Sequence, residues 1–442
     1  MAERRTAWLT GWRPLLAAGV LYAAVVAVIV AVRVWPATSG GDYAALKEET
    51  TSDFRDFWYT ARHFRDTGSL TDDYGVHNYL PFFTLFMLPW SILPLPAAAV
   101  LFALLSVALF GAGVVLAEQL LNDGVRRGPR PATYLALALV APYVHSCAVL
   151  GNVMLLVVFL VLAAWYLVEH RRDAAAGVAL GLATLIKLLP GALILFLLLK
   201  RRWTAAGVAL AVVTGLGFGL PAASVGLPTA WREHRAFFER AVGGHNALST
   251  LTAEKPPKAM YSNTALPMVL RRLLSPLSGG KTDTRPVYVT VATLPPTIRV
   301  VLWGALSAAL LATSTLAGVR HSRPWPPHTE QGVWSVRAQF GAWCALALLA
   351  SPLVWTHYYV LAYWPLALAA DAAARRAGPL RGARPAIAAW VVGIAALAWP
   401  AARAAGAPLW ATGILWAWCV IRARSGKRPD DDGLIINRST AI

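Results

Sequence analysis

The sequence has few charged residues. Only 14% of its 442 residues are Asp, Glu, Lys or Arg, whereas 57% are hydrophobic. A soluble globular domain carries about 25% charged residues on average. The deficit argues against an ordinary soluble domain and predicts an all-α polytopic membrane protein.

Several catalytic motifs are also absent. The chain has no Walker A phosphate loop, no GxSxG and no HExxH, and no Gly-rich dinucleotide loop follows a strand pattern. The sequence therefore does not support energy coupling through ATP, and it does not support a serine hydrolase. The acidic residues are too few and too scattered to form a proton relay through a bilayer.

Cysteine is scarce as well. Cys147, Cys344 and Cys419 all lie in apolar runs, and none has the CxxC or Cys/His spacing of a zinc site. We expect three buried thiols and neither a metal centre nor a disulfide framework. The outer loops lack a tight carboxylate cluster, so we also expect no obligatory metal.

Positive charge dominates among the charged residues that are present. The formal net charge is +18, and the basic residues cluster in short stretches between apolar runs. Cytoplasmic loops of membrane proteins have this excess of Lys and Arg. The charge therefore indicates topology and not nucleic-acid binding. We predict a multi-pass protein of the cell (inner) membrane with both termini cytoplasmic.

The apolar runs predict about twelve spans in a single integral membrane domain over residues 1–442. Outer loops are expected at 36–81 and 224–296. Some runs are shorter than a full span needs, which is tolerable where helices are buried among others. The predicted crossings are 15–34, 81–121 (one net crossing broken by "LPLP"), 134–146, 149–168, 174–188, 190–199, 203–220, 298–319, 334–353, 358–370, 386–402 and 409–421.

The stretch "TTSDFRDFWYTARHF", residues 50–64, places two carboxylates in the first outer loop. One apolar face follows helical spacing and consists of Phe54, Phe57, Trp58, Ala61 and Phe64. Asp53 falls at the edge of that face, where partial desolvation increases its basicity and suits a general base. Asp56 falls on the polar side. Alternatively, Ser52 or Asp53 only caps the helix.

Other polar residues lie at the outer ends of predicted spans. His77, Asn152, Lys187 and His357 are candidates for substrate or phosphate binding, because ionisable groups at this boundary are costly. Each has a simpler reading: Lys187 can extend its stem to the interface, and His357 can be an interfacial histidine among aromatic residues.

A further group of candidates lies in the second outer loop. "AMYSNTALPMVLRRLL" contains Asn263, Arg271 and Arg272 on a predicted surface helix. Its arginines would be available to an anionic head group. A juxtamembrane helix without any catalytic role has the same pattern.

Five segments, in order, resemble the membrane mannosyltransferases of glycosyltransferase family 87, which belong to the GT-C structural class. Departures from the family pattern are Leu80, where a second proline is common, and Asn152, where glutamine is usual. The similar segments are "DFRDFWYTA" from Asp53, "YLPFFTLFMLPWSILPLP", "LGNVMLLVVFLVLAAWYL", "AGVALGLATLIKLLPGALILFLLLKRRW" and "ASPLVWTHYYVLAYWPL".

The resemblance implies a GT-C-type fold and an inverting transferase that uses a polyprenyl-phosphate sugar, typically mannose, at the outer face of the membrane. The acceptor would be a lipid or a glycan, and no redox cofactor would be needed. By position in the family motif, Asp53 would be the general base, with Asp56 a secondary candidate. His357, and then Lys187, would contact the donor phosphate, and Arg271 and Arg272 are weaker candidates for that role.

Two other classes of function fit the same topology. A transporter or flippase of a lipid-linked sugar would share the span count and the outer polar groups. It would be favoured by repeat symmetry and midplane charges, and the sequence has neither. A non-catalytic scaffold would tolerate Asp53→Asn, whereas a transferase would not.

Overall fold

A computed structural model describes residues 2–38, 52–70, 79–122, 128–239, 246–256, 259–280, 286–319, 330–374 and 383–425. Every regular element within these ranges is a helix. The prediction of an all-α protein is confirmed for them. Cys147, Cys344 and Cys419 are buried, as expected.

The first half of the chain forms eleven helices among the described residues. Their bounds are α1 Ala2–Thr38, α2 Ser52–Thr67, α3 Pro81–Ser91, α4 Leu95–Leu121, α5 Pro131–Leu150, α6 Met154–Glu169, α7 Asp173–Ile186, α8 Gly191–Leu199, α9 Trp203–Thr214, α10 Leu220–Val225 and α11 Leu227–Phe238. A π-helical turn, Gly215–Gly219, joins α9 to α10.

The second half is again helical where it is described. The α-helices are α12 Ala247–Thr252, α13 Leu266–Leu273, α14 Pro296–Val319, α15 Glu330–Ala350, α16 Tyr363–Ala374, α17 Ala383–Ala395, α18 Pro400–Ala404 and α19 Ala407–Ser425. Two 3₁₀ helices, Thr356–Ala362 and Ala396–Ala398, precede α16 and follow α17.

Six helical segments among the described residues are long and apolar enough to cross a membrane. This supports a membrane protein, while the count of about twelve spans and the GT-C fold stay predictions. The six segments are Gly11–Val32, Leu95–Leu121, Pro131–Leu150, Trp203–Val225, Pro296–Gly318 and Gly332–Ala350. Shorter apolar helices are Met154–Glu169, Asp173–Ile186 and Ala383–Ala398.

The structure clarifies the region around "LPLP". The apolar run divides into α3, with 11 residues, and α4, with 27 residues. The chain breaks at Ile92–Pro94 because Pro94 has no N–H to continue a helix and restricts the residue before it. Only α4 has the length to span a bilayer. This agrees with one net crossing between residues 81 and 121.

The helices pack into two compact units. Unit 1 comprises Met1–Pro129, Tyr143–Gly191 and Trp203–Gly244, and unit 2 comprises Arg130–Pro142, Ala192–Arg202 and His245–Ile442. One buried cluster of unit 1 consists of Leu80, Phe82, Leu185 and Phe237. A buried cluster of unit 2 consists of Leu251, Leu266, Val269, Leu270, Leu349 and Leu409. The single domain expected from the sequence stays a prediction.

Candidate active site

Helix α2 of unit 1 carries Asp53 in its first turn. Phe54, Phe57, Trp58 and Ala61 are buried, so the apolar face predicted from helical spacing is confirmed for these four residues. Asp53 itself is half-buried. Its place at the start of the helix is electrostatically favourable for a carboxylate, because the positive end of the helix dipole lies there.

Asp56 has a different environment from Asp53. Its carboxylate forms an ion pair with Arg55, with Nη2 of Arg55 at 3.1 Å from Oδ1 of Asp56. The side chain of Arg55 is buried, whereas that of Asp56 is 36% exposed. Asp56 therefore neutralises a buried guanidinium. As a catalytic group it stays a prediction.

Asn152 holds the Asp53 carboxylate. Its side-chain Nδ2 donates to Oδ2 of Asp53 at 2.6 Å, and its Oδ1 accepts from the backbone N–H of Met154 at 3.0 Å. The second contact fixes the orientation of the amide, because only the oxygen can accept from a backbone N–H. Asn152 is 2% exposed. The structure therefore assigns this residue a positioning contact with Asp53.

The turn that presents Asn152 depends on Gly151. Its φ is +65°, in the left-handed region that favours glycine. A Cβ atom at this position would lie 2.4 Å from Cβ of Phe54. The turn between α5 and α6 thus comes into direct contact with the first turn of α2 only because residue 151 has no side chain.

Lys187 lies in the turn between α7 and α8. Its Nζ donates to the hydroxyl of Tyr79 at 3.1 Å and lies 5.1 Å from the centre of the Tyr79 ring. Tyr79 stacks on Phe83 with ring centres 4.2 Å apart and meets Phe57 edge-on at 5.1 Å. Aromatic residues of α2 and α3 thus hold the ring that contacts the ammonium.

The protonation of Lys187 is sensitive to its surroundings. Burial lowers its pKa to about 8, while the Asp53 carboxylate acts in the opposite direction. Desolvation disfavours the charged form of a lysine, and a nearby carboxylate favours it. Asp53 and Lys187 are therefore electrostatically coupled, and the ammonium predominates at neutral pH.

Asn263 joins two loops of unit 2. Its side-chain Oδ1 accepts from the backbone N–H of Ala265 at 3.2 Å and from that of Val354 at 3.4 Å. The backbone N–H of Thr264 donates to the carbonyl of Val354 at 2.8 Å. These bonds attach the loop before α13 to the "SPLVWTHYY" segment. The carboxamide oxygen of Asn263 is thus engaged by the backbone.

Arg272 is also bound to the backbone. Its guanidinium donates to four carbonyls: Ala404 at 2.8 Å, Ala259 at 3.2 Å, Met260 at 3.0 Å and Asn263 at 2.8 Å. The residue has no exposed surface at all (0%). The expectation that it is available to a head group is wrong, because the loops around α13 enclose it. We assign it a structural role.

The remaining sequence candidates have varied positions. Arg271 is buried in the last turn of α13 and donates to the carbonyl of Ala253 at 3.3 Å. His357 is buried in the 3₁₀ helix before α16, with its ring centre 4.9 Å from that of Tyr358. Thr356, the residue before His357, accepts a hydrogen bond at Oγ1 from Arg403 at 3.0 Å. His77 lies outside the described residues.

The structure thus brings Asp53, Asn152 and Lys187 together in unit 1, and places Asn263, Arg271, Arg272 and His357 in unit 2. Sequence reasoning did not single out Tyr79, although this residue opens the "YLPFF" element. It also missed the burial of Arg55, because the helical wheel ranks residues by type and cannot show an ion pair with the next residue.

The three residues of unit 1 can perform proton transfer beside a cation. A half-buried carboxylate, oriented by an amide, can accept a proton from a hydroxyl group. A lysine in the same neighbourhood can bind an anionic group of the substrate. Within the described ranges, no three His, Cys, Asp or Glu side chains come together as a candidate metal site.

Comparison with known families identifies the chain. A family model described as glycosyltransferase family 87 matches residues 77–290. The match covers just under half of the chain and supports its place in glycosyltransferase family 87. This confirms the family predicted from the sequence and makes the protein a glycosyltransferase that is rich in apolar helices. Neither the comparison with curated proteins nor that with solved structures finds a match.

The matched segment of the family 87 glycosyltransferase covers only some of the candidate residues. Asn152 and Lys187 of unit 1 lie within it, as do Asn263, Arg271 and Arg272 of unit 2. Asp53 and His357 lie outside the match. Their roles rest on the sequence motif and on the contacts described above.

Proposed function

We propose that this family 87 protein transfers a hexose from a polyprenyl-phosphate donor to a hydroxyl group of a lipid or glycan acceptor. The family resemblance implies that the hexose is mannose. The reaction takes place at the outer face of the cell (inner) membrane, in a GT-C-type fold with both termini cytoplasmic. The observation that carries the proposal is the hydrogen bond between Asn152 and Asp53, since it links two separate family motifs to a single carboxylate.

The chemical step is a displacement at the anomeric carbon of the donor sugar. The acceptor oxygen attacks the anomeric carbon of the donor sugar, and Asp53 takes the proton from that hydroxyl group. The bond between the anomeric carbon and the phosphate oxygen breaks, and polyprenyl phosphate leaves. Attack from the face opposite the leaving group inverts the anomeric centre, as in other inverting glycosyl transfers. No redox step is involved.

Asn152 acts on this step through Asp53. A hydrogen bond to Oδ2 restricts rotation of the carboxylate, so one defined oxygen faces the acceptor. Lys187 supplies a cation for the donor phosphate, and its contact with the Tyr79 hydroxyl holds the ammonium in place. His357 of unit 2 stays a prediction as a phosphate-binding residue. Charge that develops on the leaving phosphate is stabilised by such groups.

The proposal is tested by reconstitution. Purified protein in vesicles is supplied with radiolabelled polyprenyl-phosphate mannose and a membrane-lipid extract as acceptor. We expect label in the acceptor fraction, with inverted configuration at the anomeric carbon. Polyprenyl-phosphate glucose and a nucleotide-activated mannose serve as alternative donors, and we expect little transfer from either.

Three results of this assay would contradict the proposal. Transfer from the nucleotide sugar alone would show that the donor is not a lipid phosphate. Equal, background-level transfer by the wild type and Asp53→Asn would remove the transferase assignment. Movement of labelled donor across the vesicle membrane without transfer would favour the transporter or flippase alternative.

A further inference from the structure

Arg271 and Arg299 form a pair of buried arginines in unit 2. Arg271 lies in the last turn of α13 and is 9% exposed, and Arg299 lies in the first turn of α14 and is 4% exposed. Val300 and Trp303, which follow Arg299 in α14, pack against the cluster that contains Val269 and Leu270 of α13. The two helices therefore meet beside the two arginines.

Neither guanidinium has the partners that a buried charge normally requires. The Nε atoms of Arg271 and Arg299 are both buried and lack hydrogen-bond partners among the described residues. Within the same ranges, the side chain of Arg271 makes one hydrogen bond, to the Ala253 carbonyl at 3.3 Å, and no ion pair involves either residue. Buried polar groups are otherwise hydrogen-bonded in the large majority of cases.

Other buried cations of unit 2 are better satisfied. Arg272 donates to four carbonyls, and Lys200 donates to the carbonyl of Gly318 at 2.7 Å. The fold therefore supplies partners for buried charges elsewhere in this unit. Among the described residues, Arg271 and Arg299 have fewer hydrogen-bond partners than Arg272.

The two positive charges also act on one another. Burial and the charge of Arg299 both lower the pKa of Arg271. Two neighbouring cations in a poorly solvated site repel each other, and a cation in the first turn of a helix opposes the helix dipole. An anion beside these guanidinium groups would relieve both costs. Arginine pairs well with phosphate because its planar fork donates two parallel hydrogen bonds.

The surroundings of Arg299 indicate the kind of molecule that carries this anion. Helix α14 is one of the six candidate spans, and Arg299 lies only four residues into it. Ile298, Val301 and Leu302 are exposed apolar residues on either side of Arg299. In a membrane protein such residues face lipid, and phosphate groups of lipids lie at the ends of spans. A lipid would place its chains on this apolar surface and its phosphate at the arginines.

We propose that Arg271 and Arg299 form a binding site for the phosphate group of a lipid. Both the donor polyprenyl phosphate and a membrane phospholipid carry this group. Where the donor is the occupant, the inference rests on the proposed function and adds Arg299 to the residues that hold it. Where a phospholipid is the occupant, the site is independent of the transferase reaction.

Lipid binding to the purified protein in detergent tests this site without any transfer step. The probes are polyprenyl phosphate, phosphatidylglycerol, inorganic phosphate and uncharged polyprenol, each titrated against the thermal unfolding midpoint. We expect at least one of the two phosphate lipids to raise the midpoint, with polyprenol much weaker. The lipid with the larger shift identifies the source of the phosphate. A response to inorganic phosphate alone, without a lipid response, would overturn the lipid assignment.

Variants locate the binding at the two arginines. Arg271→Gln and Arg299→Gln should each weaken binding of the active lipid at least tenfold, and Arg299→Lys should retain more binding than Arg299→Gln. The control is Arg232→Gln, because Arg232 is an exposed arginine of α11 in unit 1. It should bind as the wild type does. Equal binding by the wild type and by a folded Arg271→Gln/Arg299→Gln variant would overturn the site.

The thermal midpoint without lipid shows whether these variants fold. Removal of one charge from a repelling pair should leave the lipid-free midpoint unchanged or raise it, and a lower midpoint would contradict the repulsion on which the proposal depends. The binding assay also separates this inference from the proposed function. Normal lipid binding without sugar transfer would contradict only the transferase proposal. Normal sugar transfer together with unaltered lipid binding in the arginine variants would contradict only the lipid-phosphate site.

Discussion

Asp53 of unit 1 and Arg272 of unit 2 use their charges in opposite ways. Asp53 is half-buried, and its described hydrogen-bond partner is another side chain, that of Asn152. Arg272 is fully buried, and its partners are four backbone carbonyls from separate loops. A charge that is enclosed by the main chain holds the fold together, whereas a charge at a partly exposed position can still meet a substrate.

The same contrast exists within a single helix. Arg271 and Arg272 are neighbours in α13, and residue type alone does not distinguish their roles. Arg272 is satisfied by carbonyls, while Arg271 lies beside Arg299 with a buried Nε that has no partner among the described residues. Variants that remove each type of charge should therefore affect different measurements, stability in one case and substrate binding or turnover in the other.

The largest effect on stability is expected for Arg272→Met. The change removes all four hydrogen bonds and leaves buried carbonyls without donors, at a cost of about 3 kcal/mol or more. The measurement is the thermal unfolding midpoint in detergent, which should fall by many degrees. Arg232→Met, at an exposed position, is the matched control and should not change it. A wild-type midpoint for Arg272→Met would contradict the structural role.

A smaller and purely catalytic effect is expected for Asn152→Ala. Without the amide, the Asp53 carboxylate loses the donor to Oδ2, and kcat should fall about tenfold to a hundredfold, or about 1.4–2.8 kcal/mol in activation free energy. The KM for the donor should change little, because Asn152 acts through Asp53. Asn152→Gln retains an amide and should recover part of kcat.

The control for this prediction is another amide–carboxylate pair in unit 1. Asn122 donates to Oε1 of Glu118 at 2.9 Å, at the end of α4. Asn122→Ala should leave kcat as it is in the wild type. If Asn152→Ala raised only KM, Asn152 would bind substrate directly and would not position Asp53.

The smallest effect is a pH dependence that depends on Lys187. Its pKa is lowered to about 8, so the ammonium is lost as the pH rises through 8, and a phosphate contact is lost with it. We expect the KM for the donor to increase between about pH 7 and pH 9. Lys187→Arg keeps its charge over this range and should remove the increase. An unchanged pH profile in Lys187→Arg would show that Lys187 does not contact the phosphate.

Much of the fold follows from the sequence because it depends on hydrophobic pattern. The predicted runs at 298–319, 334–353 and 409–421 correspond to α14, α15 and α19 to within a few residues. The buried face of α2 was predicted correctly for the same reason. The pairing of Asp53 with Asn152 was not predictable from spacing, because the two residues are 99 positions apart and meet only through the turn at Gly151.

Arginines show where pattern reasoning fails. The burial of Arg272 depends on carbonyls from loops distant in sequence, and residue type alone favours an exposed guanidinium. Arg299 did carry a signal, since an arginine within a predicted span is costly and marks a functional position. The signal is weak because the residue lies close to the end of its run, where an arginine can reach the interface.

The most direct test of the account is the single-turnover rate of sugar transfer by Asp53→Asn. Asn keeps the shape of the side chain but cannot accept the proton, so the rate should fall by at least about a hundredfold with an unchanged thermal midpoint. Asp66→Asn, an exposed carboxylate on the same helix that pairs with Arg62, should transfer at the wild-type rate. Wild-type transfer by Asp53→Asn would contradict the assignment of this carboxylate as the general base.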